Sequence, residues 1–106
     1  MKDGLYKVEF RTQGGSGSGV VVLQGGKVRG GDSGLYYAGT FAENGDQITA
    51  QVATNRHTAG IGSVFGRDRV NISLKGTAKG ESAQMTGTAV EAPGVTFQAS
   101  MTRIAD

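Results

Sequence analysis

Residues 30–41 read GGDSGLYYAGTF. Gly30, Gly31 and Asp32 predict a turn, because glycine tolerates unusual φ and an Asp carboxylate accepts hydrogen bonds from nearby backbone N–H groups. From Leu35 to Phe41 the residues alternate. Tyr37, Gly39 and Phe41 fall on one face, and Tyr36, Ala38 and Thr40 on the other. That period of two is the signature of a strand.

Three strands are predicted before this stretch and four after it. Residues 5–12 put Tyr6, Val8 and Phe10 on one face and Lys7, Glu9 and Arg11 on the other. The run 13–18, QGGSGS, reads as a flexible turn. Residues 19–24 form a second strand that is apolar on both faces: Val21 and Leu23 on one, Val20 and Val22 on the other. Gly25-Gly26 predicts a hairpin leading to a short third strand at 27–30. Beyond the fourth strand, Asn44-Gly45 suits the two positive φ angles of a type I′ hairpin. A fifth strand turns Ile48, Ala50 and Val52 inward. Residues 56–69 break the alternation and predict a long loop holding His57, Ile61, Val64 and Phe65. The sixth strand carries Val70, Ile72 and Leu74 inward, and Lys79-Gly80 turns the chain. The seventh carries Ala83, Met85, Gly87 and Ala89. Ala92-Pro93-Gly94 turns it again, and the eighth carries Val95, Phe97, Ala99 and Met101.

Three strands share an echo: Gly39-Thr40-Phe41, Gly76-Thr77-Ala78 and Gly87-Thr88-Ala89. Glycine at mid-strand relieves crowding where a sheet coils tightly. About eight sequential antiparallel strands with short turns imply an up-and-down barrel or a strongly curled sheet in preference to a sandwich. A single domain over residues 1–106 is expected from the length. The interior would mix Tyr6, Phe10, Tyr37, Phe41, Phe97 and Met101 with Gly and Ala, and could be packed solid or hold one small ligand.

Composition narrows the function. Ile, Leu, Val and Phe make up 22 of 106 residues, a thin supply for a core, but a net charge of only +2 does not oppose folding. There is no Cys, so disulfide, thiol and thiolate-metal chemistry are excluded. Lys and Arg number 11 against 9 Asp and Glu and are interspersed, which argues against direct nucleic-acid binding. No apolar run approaches the ~20 residues of a membrane-spanning helix. The charged start, with Lys2, Asp3, Lys7 and Glu9, is unlike a secretory signal. A cytoplasmic protein is expected.

Motifs for chemistry are weak. GGSGSG at 14–19 leads into a strand, not into the Lys-Ser/Thr and helix of a phosphate loop. Gly60, Gly62 and Gly66 miss the dinucleotide spacing. His57 is the only imidazole, and an enzyme built on it with Arg67 or Arg69 has little support. Asp32 reads as an Asx turn. The expectation is a non-enzymatic protein without metal or other cofactor. Val20, Val22 and Tyr36 are the candidate outer apolar contact, as in a homodimer, unless Ile61, Val64 and Phe65 cover them.

Met1-Lys2-Asp3-Gly4-Leu5-Tyr6, the Gly30-Gly31-Asp32 turn with Tyr37 and Gly39, and Ser63-Val64 resemble the GrlR-like negative regulators of type III secretion. The resemblance is strongest over the first 45 residues and loose after the sixth strand. It implies a lipocalin-like eight-stranded barrel, a dimer, and a function: holding a transcriptional activator off DNA. In that family four alternating acidic residues after the fourth strand bind the partner. The matching positions here are Glu43, Asn44, Gly45 and Asp46, which keep two of the four carboxylates. The alternative function is a lipocalin-like binder of a small apolar ligand inside the barrel.

Overall fold

The computed structural model describes residues 1–60 and 68–106. Eight strands follow in order: β1 (Gly4–Thr12), β2 (Gly15–Gln24), β3 (Lys27–Gly31), β4 (Leu35–Asn44), β5 (Gln47–Arg56), β6 (Val70–Lys79), β7 (Ser82–Ala89) and β8 (Ala92–Ala105). Each pairs antiparallel with the next, and β8 returns to β1, so the sheet closes. The fold is therefore the eight-stranded up-and-down barrel that the alternation predicts, consistent with a lipocalin-like architecture. No helix among the described residues is long and apolar enough to cross a membrane.

The inward faces are those of the alternation. Val70, Ile72 and Leu74 are buried on β6, Ile48 and Ala50 on β5, and Ala83, Met85 and Ala89 on β7. Burying a side chain such as Ile48 or Leu23 stabilises the barrel by about 1.5–3 kcal/mol.

Large and small residues face one another across the strand pairs. Phe10 lies between Gly17 on β2 and Ala99 on β8. Tyr37 pairs with Gly30, Phe41 with Ala50, and Gly87 stands between Leu74 and Phe97. At several of these glycines the neighbouring backbone leaves no room for a side chain. An added Cβ would stand 1.9 Å from the Gln51 carbonyl oxygen at Gly39 and 1.9 Å from that of Gln84 at Gly76. At Gly87 it would stand 2.1 Å from the Ser73 oxygen. The three-fold Gly-Thr echo thus marks inward points where the neighbouring strand leaves no room for a side chain.

Five local readings change. Gly30 and Gly31 belong to β3 and not to the opening turn, which is Asp32-Ser33-Gly34, because both glycines pair with β4. The run 13–18 is not all turn: β2 begins at Gly15, leaving Gln13-Gly14 as the turn. Alternate glycines let this part of the strand pass over aromatic rings. A Cβ on Gly17 would meet Phe10 Cε2 at 2.8 Å, and one on Gly19 would meet Tyr37 Oη at 2.9 Å. At the β4–β5 hairpin, Asn44 and Gln47 form the closing pair, so Gly45-Asp46 is the two-residue turn. Only Gly45 has positive φ there, as in a type II′ turn, where glycine takes the first central position. Gly80-Glu81 repeats this one-residue shift between β6 and β7, with Lys79 and Ser82 as the closing pair. Finally, Val90-Glu91 makes the last turn, and Pro93 falls within β8 where the register shifts. A missing backbone donor is tolerated at such an irregularity.

The connection after β5 runs over residues 57–69. The expected apolar knot of Ile61, Val64 and Phe65, together with Gly62, Ser63, Gly66 and Arg67, lies outside the described residues.

Replacing Gly39 by Ala is expected to destabilise the barrel by about 1–3 kcal/mol, the usual range for overpacking. Gly94→Ala, where a Cβ meets nothing within 4 Å, is expected to be within about 0.5 kcal/mol of the unaltered chain. Urea unfolding of the three chains side by side checks both.

Candidate functional site: the barrel interior

Among the described residues the interior is not filled. A cavity of about 270 Å³ runs down the barrel, lined by residues of all eight strands and by the 32–34 turn. Its wall is mostly aliphatic and aromatic. Among the described lining residues Asp32 is the only charged one.

The two ends of the barrel differ. At the end holding the β2–β3 and β4–β5 turns, Tyr6 is fully buried, and Leu23 and Ile48 are each 1% exposed. The Tyr6 hydroxyl donates to the Lys2 carbonyl at 2.6 Å. Tyr6 was an expected lining residue, but it helps close this end and does not line the cavity. The other expected lining residues, Phe10, Tyr37, Phe41, Phe97 and Met101, do line it.

At the opposite end the cavity reaches Ser16, Gly17 and Ser18 of β2 and the Asp32-Ser33-Gly34 turn. β3 is short, and its pairing with β2 ends at Val20 and Gly31. The first residues of β2 therefore extend past β3, which among the described residues leaves the mouth between β2 and the β3–β4 turn.

Asp32 organises this mouth. Its Oδ1 accepts the backbone N–H groups of Gly34 at 2.9 Å and Leu35 at 2.8 Å, the Asx turn expected from the sequence. Its Oδ2 accepts the Tyr37 hydroxyl. The Asp32 N–H in turn donates to the Leu35 carbonyl at 2.9 Å. Burial raises the Asp32 carboxyl, but the bonds from Tyr37, Leu35 and Gly34 outweigh it and hold the group below its ordinary value. Burial first, and then the bond to Asp32, push the Tyr37 phenol well above its ordinary value. The proton stays on Tyr37 and the charge on Asp32.

Tyr37 belongs to a run of three rings. Phe10 meets Tyr37 edge-on with centroids 6.0 Å apart, and stacks on Phe97 at 5.8 Å. Thr54 completes the polar part of the wall and donates its hydroxyl to the Asp68 carbonyl at 2.8 Å. The sequence signal for this arrangement was the spacing of Asp32 and Tyr37, which a turn followed by a strand brings back together.

His57 serves the same turn. Its Nε2 lies 2.9 Å from the Asp32 carbonyl oxygen and its Nδ1 lies 2.7 Å from Thr58 Oγ1, while its backbone N–H donates to the Gly34 carbonyl at 2.9 Å. Arg56 pairs with Asp68 at 2.7 Å. Arg69 is exposed. No group of three or more His, Cys, Asp or Glu side chains that could hold a metal ion occurs among the described residues.

The remaining expected residues lie elsewhere. Glu43, Asn44, Gly45 and Asp46 stand at the closed end of the barrel. Glu43 accepts the amino group of Met1, and the Asp46 carbonyl accepts the N–H of Ala78 at 2.8 Å. Val20, Val22 and Tyr36 point outward and are 43%, 40% and 45% exposed. Gly31 pairs with both Val20 and Tyr36, so these two side chains flank a bare backbone position.

No family model matches the chain, and no curated protein matches it.

The Asp32 carboxyl is depressed in the folded state, so it contributes stability above its unfolded value near 3.8. That contribution is lost as pH falls through the lower folded value. The stability difference between the unaltered chain and Asp32→Asn is thus expected to be largest above about pH 5 and to close toward pH 2. Tyr37→Phe is expected to cost about 1–3 kcal/mol at neutral pH, the loss of a hydrogen bond to a charged group. Urea midpoints from pH 2 to 7 test both.

Proposed function

We propose that this barrel binds a small apolar ligand in its interior and performs no chemistry on it. The observation that carries this reading is the cavity of about 270 Å³, closed at one end and walled largely by apolar side chains. Ligand pockets usually run from about 300 Å³ upward, so the space suits a small molecule. A well-packed barrel of this strand number fills its interior with side chains. Here Gly and Ala stand opposite the aromatic rings, and among the described residues no larger side chain takes up the space they leave.

A second reading rests on the outer face. Val20 and Val22 on β2 and Tyr36 on β4, either side of β3, present large apolar side chains to solvent, and such faces are used in protein contacts. In that reading the barrel is a cytoplasmic, non-enzymatic homodimer. The resemblance to GrlR-like regulators of type III secretion would make a transcriptional activator its further partner. The tip at 43–46 supports this less well, because the Glu43 carboxylate is engaged by the Met1 amino group.

Saturable binding of 1-octanol, followed by NMR shifts of inward residues, is the expected result for the unaltered protein. Val52→Phe places a ring in the cavity and is expected to weaken binding at least about tenfold, or about 1.4 kcal/mol. No saturable binding to the unaltered chain overturns the ligand reading. For the second reading, sedimentation at micromolar concentration should show a dimer that Val20→Asp with Val22→Asp converts to monomer. A monomer from the outset removes it.

A further inference from the structure

The polar part of the cavity wall is confined to its mouth, and its charge has one sign. An ionised carboxylate offers about four acceptor positions. Asp32 uses three of them, for the N–H groups of Gly34 and Leu35 and for the Tyr37 hydroxyl. One position on Oδ2 remains, beside a phenol that itself lines the cavity. No Lys, Arg or His occurs among the described lining residues. His57, the nearest imidazole, bonds the backbone carbonyl of Asp32 and not its carboxylate.

The rings of Phe10, Tyr37 and Phe97 lie at the same end, and aromatic faces attract cations. Gly17 and Gly19 let that part of β2 lie directly against the Phe10 and Tyr37 rings. The volume sets the size. With about 30 Å³ for each water-sized group, the cavity takes about nine non-hydrogen atoms.

The geometry points to a small amphiphilic amine as the ligand, with its ammonium on the Asp32 carboxylate among the Phe10, Tyr37 and Phe97 rings and its apolar body down the barrel. The assignment rests on the apolar-ligand reading and adds the headgroup. A fatty acid of the same length would find no cation in the described wall and would bring its carboxylate toward that of Asp32. A neutral alcohol would hydrogen-bond there, but without the added strength of an ionic donor.

Three probes of equal chain length separate these cases: octylamine, 1-octanol and octanoate, titrated calorimetrically into the full chain at pH 7. Octylamine is expected to bind about fivefold or more tighter than 1-octanol, the margin of a charge-assisted over a neutral hydrogen bond. Octanoate is expected to bind weakest. The protein's net charge of +2 would favour octanoate if attraction were merely general, so the opposite order reports the site. Asp32→Asn is expected to abolish the preference for the amine. If 1-octanol binds and octylamine binds no tighter, or octanoate binds tightest, the amine assignment is overturned while the apolar-ligand reading stands. If none of the three binds, both fall. Preference retained in a folded Asp32→Asn chain also overturns the assignment. Should that variant not fold, the ranking on the unaltered chain decides.

Discussion

Close approach of neighbouring backbones at inward glycines is the constraint on which the rest of the barrel depends. Gly30, Gly39, Gly76 and Gly87 each sit where a Cβ would come within about 2 Å of a carbonyl oxygen on the next strand. Contact distances of that kind exclude any side chain, so the wall coils inward there and eight strands can close. Closure in turn leaves no sheet edge to pair with another chain over most of the circumference. A core supplied by few large apolar residues is sufficient because the barrel's radius is small.

The same constraint makes the cavity. Wherever glycine is needed for coiling, volume is lost from the interior, and the facing side chain only partly replaces it. Phe10 fills the space beside Gly17, and Tyr37 that beside Gly19 and Gly30. The aromatic rings gather toward the mouth because alternate glycines of β2 lie there. The closed end has Leu23, Ile48 and Tyr6 instead, and is sealed. Asymmetry along the barrel axis is therefore already present in the order of residues on β2, glycines first and valines and leucine later.

Asp32 links this scaffold to the site. A carboxylate in a largely apolar wall is costly unless it is hydrogen-bonded. Two backbone N–H groups and the Tyr37 phenol satisfy it, which holds it charged and fixes the turn that shapes the mouth. One interaction thus serves stability and leaves a directed negative charge facing the cavity. Among the described residues no buried side-chain nitrogen or oxygen lacks a partner, so the polar cost is met locally.

Periodicity, turn signals and the Gly-Thr echo determined about eight strands, most of their inward residues and a barrel or strongly curled sheet, because alternation reports which side of a sheet faces away from water. Closure of β8 onto β1 was decided only by the tertiary structure. The turn signals also marked Asp32 as the head of an Asx turn, since that geometry spans only three residues. Exact turn positions at Gly45-Asp46, Gly80-Glu81 and Val90-Glu91 were not legible, because register depends on pairing across strands and not on the turn residues themselves. Nor was the difference between a packed and an open interior: volumes of facing residues sum only once the strands are in register. Tyr6 and Tyr37 look alike in the sequence, each an inward tyrosine near one end of its strand. Only the tertiary structure placed one in the sealed floor on a backbone carbonyl and the other in the cavity wall on a carboxylate, because strand direction decides which end of the barrel each reaches.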